Sequence, residues 1–224
     1  MNKKNKRKKR VDTKVKIVKR KKDNNKYSII AFIIGILVFA LMAILVVTKN
    51  SELFDNTIYN IISKCISTPC TYFFKGITAL CNTKTIIVLL IIILLFVKNK
   101  RTAVAIVLNS VLCVLLNGGV KLLFVRPRPV GLALIHQGGY SFPSGHSMMA
   151  LSFFGFLIYL VLKSKLDRKY KNILSILLVL LILLIGISRI YLGVHFASDV
   201  LGGFALSLSY LVLFINLLYK KMER

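Results

Sequence analysis

ILSILLVLLILLIGISRIYL, residues 173–192, is the stretch on which the fold turns. Its twenty residues carry one charge, Arg189, and no proline. A helix of that length rises about 30 Å, the thickness of a bilayer's hydrocarbon core. Comparable runs lie at 29–47, 102–125, 146–162 and 200–219. A weaker one, TIIVLLIIILLFV at 85–97, reaches only ~20 Å at 1.5 Å per residue. Extending it back to Ile77 makes a full span, with Lys84 snorkelling to the nearer interface. The chain is 56% hydrophobic, against roughly 45–50% in an average soluble domain. A soluble globule, a disordered chain, a collagen and a disulfide scaffold are excluded. The expectation is an all-α polytopic membrane helical bundle of about six transmembrane helices.

The net charge of +26 is unevenly spread, and residues 1–26 hold 14 of the 33 Lys and Arg against Asp12 and Asp23. Such a tail could bind nucleic acid through its phosphates. It equally suits the flank of a membrane span, at about 1 kcal/mol per basic residue near anionic headgroups. The apolar run that begins at Ile29 selects the membrane as partner, and no nucleic acid is expected. Two parts follow: a disordered basic cytoplasmic tail, 1–26, and a six-span domain, 27–224. The first span lacks a short apolar core with an A-x-A-like exit and reads as an uncleaved anchor. With six spans, 25 of the 33 basic residues fall on one side. The positive-inside rule puts both termini of this multi-pass cell-membrane protein in the cytoplasm.

Residues 49–76 place Leu53, Phe54, Ile58, Ile61, Ile62 and Ile66 at helical spacing. That periodicity suggests an amphipathic helix on the membrane surface, either packed over the bundle or admitting a lipid. Gly203 and Ser207 form a small-xxx-small pair suited to close helix packing. The four cysteines show no metal-binding spacing, and a bridge among Cys65, Cys70 and Cys81 is left open.

Three polar clusters remain. Lys121 is followed by Arg126-Pro-Arg128-Pro, His146 opens the fourth span, and Ser188-Arg189 closes the fifth ahead of His195 and Asp199. By span parity all of them fall on one face, the outer one. A lone Lys near a helix end means little, because it can snorkel; charges at depth are usually paired and functional. The i,i+4 spacing of His195 and Asp199 lets the carboxylate orient the imidazole.

These residues resemble the type 2 phosphatidic acid phosphatase superfamily, which also holds vanadate-dependent haloperoxidases and glucose-6-phosphatase-like enzymes. Lys121-LLFVRP-Arg128-Pro129 matches K-x6-R-P, and Pro143-Ser144-Gly145-His146 matches P-S-G-H. Ser188-Arg189-IYLGV-His195-FAS-Asp199 matches S-R-x5-H-x3-D. Arg126-Pro127 is a second R-P, but only Arg128 has the required spacing from Lys121.

The resemblance implies a phosphoric ester or diphosphate hydrolase with an outward-facing site. His195 would be the nucleophile forming a phosphohistidine. Asp199 would hold the other ring nitrogen's proton, and His146 would protonate the leaving oxygen and then activate water. Lys121, Arg128 and Arg189 would gather the phosphate oxygens, with Ser144 and the Gly145 amide at a helix N-terminus. No metal and no cofactor are expected. The expected substrate is a lipid phosphate: undecaprenyl diphosphate, phosphatidylglycerol phosphate or phosphatidate, with a lean to the first for an outward-facing site. Against this stand a binding or transport protein using the same cationic pocket, and a haloperoxidase. The two histidines speak for turnover, and the six spans speak against the soluble haloperoxidases.

Overall fold

The computed structural model describes residues 26–222, and no strand occurs among them. The tail and its expected disorder therefore lie outside the described residues, apart from Lys26. Helix α1 is Lys26–Val47, followed by α2 (Glu52–Ser63), α3 (Thr68–Ala79), α4 (Thr83–Phe96) and α5 (Lys100–Phe124). Then come α6 (Gly145–Lys163), α7 (Arg168–Tyr191) and α8 (Ala197–Leu213), which runs on through a π-helical stretch, Phe214–Tyr219, to Met222. Five helices (α1, α5, α6, α7 and the extended α8) are long and apolar enough to cross a membrane. A sixth crossing exists if α3 and α4 are taken as one broken span. The protein is a membrane helical bundle.

The second span departs from its expected form. In place of one continuous helix from Ile77, α3 and α4 meet at a 45° bend around residues 80–82. Asn82, a poor residue for a helix interior, takes an extended conformation there and starts α4 afresh. Fourteen residues of α4 rise only about 21 Å, so a crossing here would need α3 for the remaining depth.

Helix α6 is central, packing against α5, α7 and α8. It stays uncharged from Ser147 to Leu162 and buries Met148, Ala150, Ser152, Phe153 and Phe156. Helix α8 comes in close at its start: a Cβ on Gly203 would stand 2.9 Å from the Ser144 carbonyl oxygen. One turn on, the Ser207 hydroxyl donates to the Met148 carbonyl at 2.8 Å. The small-xxx-small pair thus seats α8 on the N-terminal turn of α6. On α7, Ile176, Leu177, Leu180 and Leu183 remain exposed, as a lipid-facing surface requires.

The amphipathic stretch resolves into two helices. Phe54, Ile58 and Ile62 of α2 pack on Ile190, Ala197 and Val200 at the α7–α8 corner. Leu53 and Ile61 point outward, at 81% and 58% exposure. All four cysteines are free thiols.

Candidate active site

The site forms where α5 ends and α6 and α8 begin. Val125 closes α5 with a left-handed φ of 46°, a strained place for a β-branched residue. Pro127 cannot extend the helix. Arg126 and Arg128 then reach one His–Asp pair from its two ends. On the other side, α7 ends at Tyr191 and the chain turns at Gly193, whose φ of +66° and contact with the Leu132 backbone leave no room for a side chain. The amides of Val194 and His195 both donate to the Arg189 carbonyl, which turns the chain back toward α8.

His195 is buried, with Nδ1 3.3 Å from Asp199 Oδ2. Its Nε2 lies 3.0 Å from Arg128 Nη1. A guanidinium has only protons to give, so Nε2 is the acceptor and the ring proton sits on Nδ1, facing Asp199. Burial pushes the His195 imidazole down to about 4, although Asp199 pulls the other way. At neutral pH its Nε2 lone pair is therefore free of a proton. Asp199 is fixed on every side: Oδ1 accepts from Arg126 Nη1 at 2.6 Å, and Oδ2 accepts from the Phe196 amide at 2.9 Å and from the Ser141 hydroxyl.

Three cations surround this pair, each held by neutral groups. Lys121 donates to the carbonyls of Tyr140 and Ser141, the latter at 3.3 Å. Arg128 donates to the carbonyls of Gly138, Gly139, Tyr140 and Val194. Its partial burial holds its pKa below the ordinary guanidinium value. Arg189, fully buried, donates to Thr78 Oγ1 at 2.5 Å and Gln137 Oε1 at 2.9 Å, and its Nε has no partner among the described residues. None of the three meets a carboxylate among the described residues within salt-bridge distance. Arg126 differs, since it is paired with both Asp55 and Asp199.

His146 Nε2 donates to Asn82 Oδ1 at 3.0 Å, so the bend between α3 and α4 reaches the site. Gly145 packs against Asn117, whose Oδ1 would lie 2.9 Å from any Cβ added there. The Ser144 hydroxyl is buried and accepts from the Ser147 amide and hydroxyl, capping α6. Lys121, Arg128, Gly145, His146 and His195 line one cavity of about 450 Å³. Ser144 and Arg189 stand behind that wall. The cavity continues between α4 and α5 along Ile86, Ile87, Leu90, Val111, Val114 and Leu115. Ile87, Val111, Val114 and Leu115 are exposed, which opens its flank onto the lipid-facing surface. This apolar path runs along α4 and α5, and no residue of α2 lines it.

Sequence reading brought together His195, Asp199, His146, Lys121 and Arg128. It did not find Asn82, Gln137, Ser141 or Thr78, and it left Arg126 without a role. The repeated R-P was the one signal available for Arg126. The others are single polar residues in loops or helix ends, and only the fold shows their reach.

Comparison with known proteins agrees with this architecture. Phosphatidylglycerophosphatase B of Bacillus subtilis (strain 168) is 44% identical over 95 residues, 42% of this chain. The match spans about half, 47%, of that relative's length. The crystal structure of a transmembrane PAP2 type phosphatidylglycerolphosphate phosphatase from Bacillus subtilis superposes with a TM-score of 0.75 and 31% identity. That superposition covers 82% of this chain and 94% of the other. LpxE of Aquifex aeolicus superposes with a TM-score of 0.58 and 25% identity, over 72% of this chain and 94% of its own. The model of the PAP2 superfamily matches residues 101–223, more than half of the sequence, and the chain belongs to that superfamily.

Proposed function

We propose that the chain is an integral-membrane lipid phosphatase whose nucleophile is His195. One observation carries this reading: three cations with no carboxylate partner among the described residues stand around a His–Asp pair whose outward nitrogen is unprotonated. Such a set suits a phosphate, whose transition-state charge lies on the equatorial oxygens. The Gly145 amide would complete the phosphate site at the start of α6, and the buried Ser144 hydroxyl would act behind it as the cap of that helix.

In this reading Nε2 attacks phosphorus in line, forming an N–P bond as the P–O bond to the leaving group breaks. His146 gives that oxygen a proton, then takes one from the water that frees phosphate from His195. Asp199 holds the Nδ1 proton and stabilises the positive ring throughout. The work assigned to the anion-holding groups is done by guanidinium and ammonium side chains, and the proposed reaction uses no metal. The apolar path between α4 and α5 supports a substrate with a hydrocarbon tail. The relatives' names bring phosphatidylglycerol phosphate forward as the first substrate to test, ahead of undecaprenyl diphosphate and phosphatidate. The basic asymmetry of the loops supports cytoplasmic termini and an outward-facing site.

The test is phosphate release by the purified chain in detergent with EDTA present. Phosphatidylglycerol phosphate, undecaprenyl diphosphate, phosphatidate and glucose 6-phosphate would be compared. The tailed phosphates should be hydrolysed far faster. Equal turnover of glucose 6-phosphate would remove the lipid assignment, and a strict need for added magnesium would remove the metal-free one.

A further inference from the structure

Arg126 stands behind the His–Asp pair, away from the cavity, and every polar contact it makes is short. Its Nη1 donates to Asp199 Oδ1 at 2.6 Å and to the Ser198 hydroxyl at 2.7 Å. Its Nη2 donates to Asp55 Oδ2 at 2.8 Å and to the Ser51 hydroxyl at 2.9 Å. The Phe196 ring covers the guanidinium, 4.1 Å from Cζ to the ring centre. Asp55 is itself buried, and it accepts from the Ser198 amide at 2.8 Å and the Ser198 hydroxyl at 2.9 Å. Helix α2 is thus tied by its single buried acid to the first turn of α8, where Asp199 sits.

We propose that Arg126 and Asp55 are positioning residues for the His195–Asp199 pair, and that α2 is the element through which they act. With Oδ1 held by the Arg126 fork, the Asp199 carboxylate cannot rotate, and Oδ2 is left facing His195. Asp55 has a second effect, on charge. Two carboxylates share one guanidinium, so the cluster keeps one net negative charge, and His195 is the group placed to use it. Without Asp55, Arg126 would neutralise Asp199 alone and weaken its hold on the Nδ1 proton. Without Arg126, two buried carboxylates would face each other across Ser198 unpaired, a costly arrangement. The two R-P arginines therefore divide the work: Arg128 faces the phosphate side of the imidazole, and Arg126 the far side of its carboxylate.

This inference rests on the phosphatase reading, and its test separates the two. The purified full chain would be compared with Arg126→Gln, Asp199→Asn and the double variant, reading kcat and KM on a lipid phosphate. Arg126→Gln should lower kcat by about 10–100-fold with KM within about threefold, because the loss is in the transition state. In the Asp199→Asn background the same change should cost less than about threefold, since residues acting through one another are not additive. Asp55→Asn should lower kcat in the same direction, and Arg126→Lys should restore part of the rate. Losses that multiply in the double variant, or that fall on KM alone, would overturn the positioning role and leave the phosphatase reading standing. Should Arg126→Gln fail to fold, Arg126→Lys and Asp55→Asn carry the same cycle with Asp199→Asn. A wild-type chain that hydrolyses no lipid phosphate would overturn the phosphatase reading alone. The cycle is then read from the rise in unfolding midpoint on adding vanadate, where non-additive shifts support the coupling and additive ones overturn it.

Discussion

Nδ1 of His195 faces Oδ2 of Asp199 at 3.3 Å, one helical turn away in sequence and inside a wall of protein. The carboxylate's remaining contacts come from the Arg126 guanidinium, the Phe196 amide and the Ser141 hydroxyl, so it is oriented before any substrate arrives. The imidazole is held neutral by burial, and that has a measurable consequence.

His195 should titrate near 4 in the folded protein, against about 6.5 in an unfolded chain. Because the unfolded chain takes the proton first, this group's contribution to stability is complete above about pH 6.5. It is lost as pH falls toward about 4. Unfolding midpoints in detergent between those values should therefore fall less steeply for His195→Gln than for the natural chain. Equal slopes would show that His195 is not held neutral.

The apolar path between α4 and α5 predicts a tail-specific defect. Val114 lines it and is 57% exposed, so Val114→Trp should crowd the path without reaching the cations. KM for a long-chain lipid phosphate should rise about tenfold, roughly 1.4 kcal/mol, with kcat little changed. A short-chain analogue should be unaffected. Equal effects on both would place the tail elsewhere.

Orientation is open to direct labelling. Single cysteines at Gly138, beside the site, and Lys169, at the start of α7, would be introduced into a chain lacking its own four. A membrane-impermeant maleimide added to intact cells should label position 138 and spare position 169. The reverse pattern would turn the proposed topology over.

Much of the scaffold was legible because apolar length is a one-dimensional property. The stretches at 29–47, 102–125, 146–162, 173–192 and 200–219 all became helices with ends within a few residues of the expected ones. The bend at 80–82 was not legible, since isoleucine and leucine fill a straight helix and a broken one equally well. Asn82 marks the break, and its partner His146 is 64 residues away. The site divides in the same way. His195 and Asp199 meet through local spacing, and Arg128 through a motif interval. Arg126 and Asp55 were hidden by different features. Arg126 looked like a duplicate of Arg128 in RPRP. Asp55 sits beside Phe54 and one turn after a second acid, Glu52, and nothing in the spacing tells which of the two turns inward. Only the packing of α2 against α8 shows that the acid faces inward.

If His195 carries the phosphoryl group, the covalent intermediate can be trapped on it. Purified chain would be mixed briefly with a phosphorus-labelled lipid phosphate, quenched in alkali and mapped by peptide. Label should appear on His195, survive alkali, be lost in acid and be absent from His195→Ala, which should also release no phosphate. Turnover at the natural rate by His195→Ala, or label residing on any other residue, would contradict it.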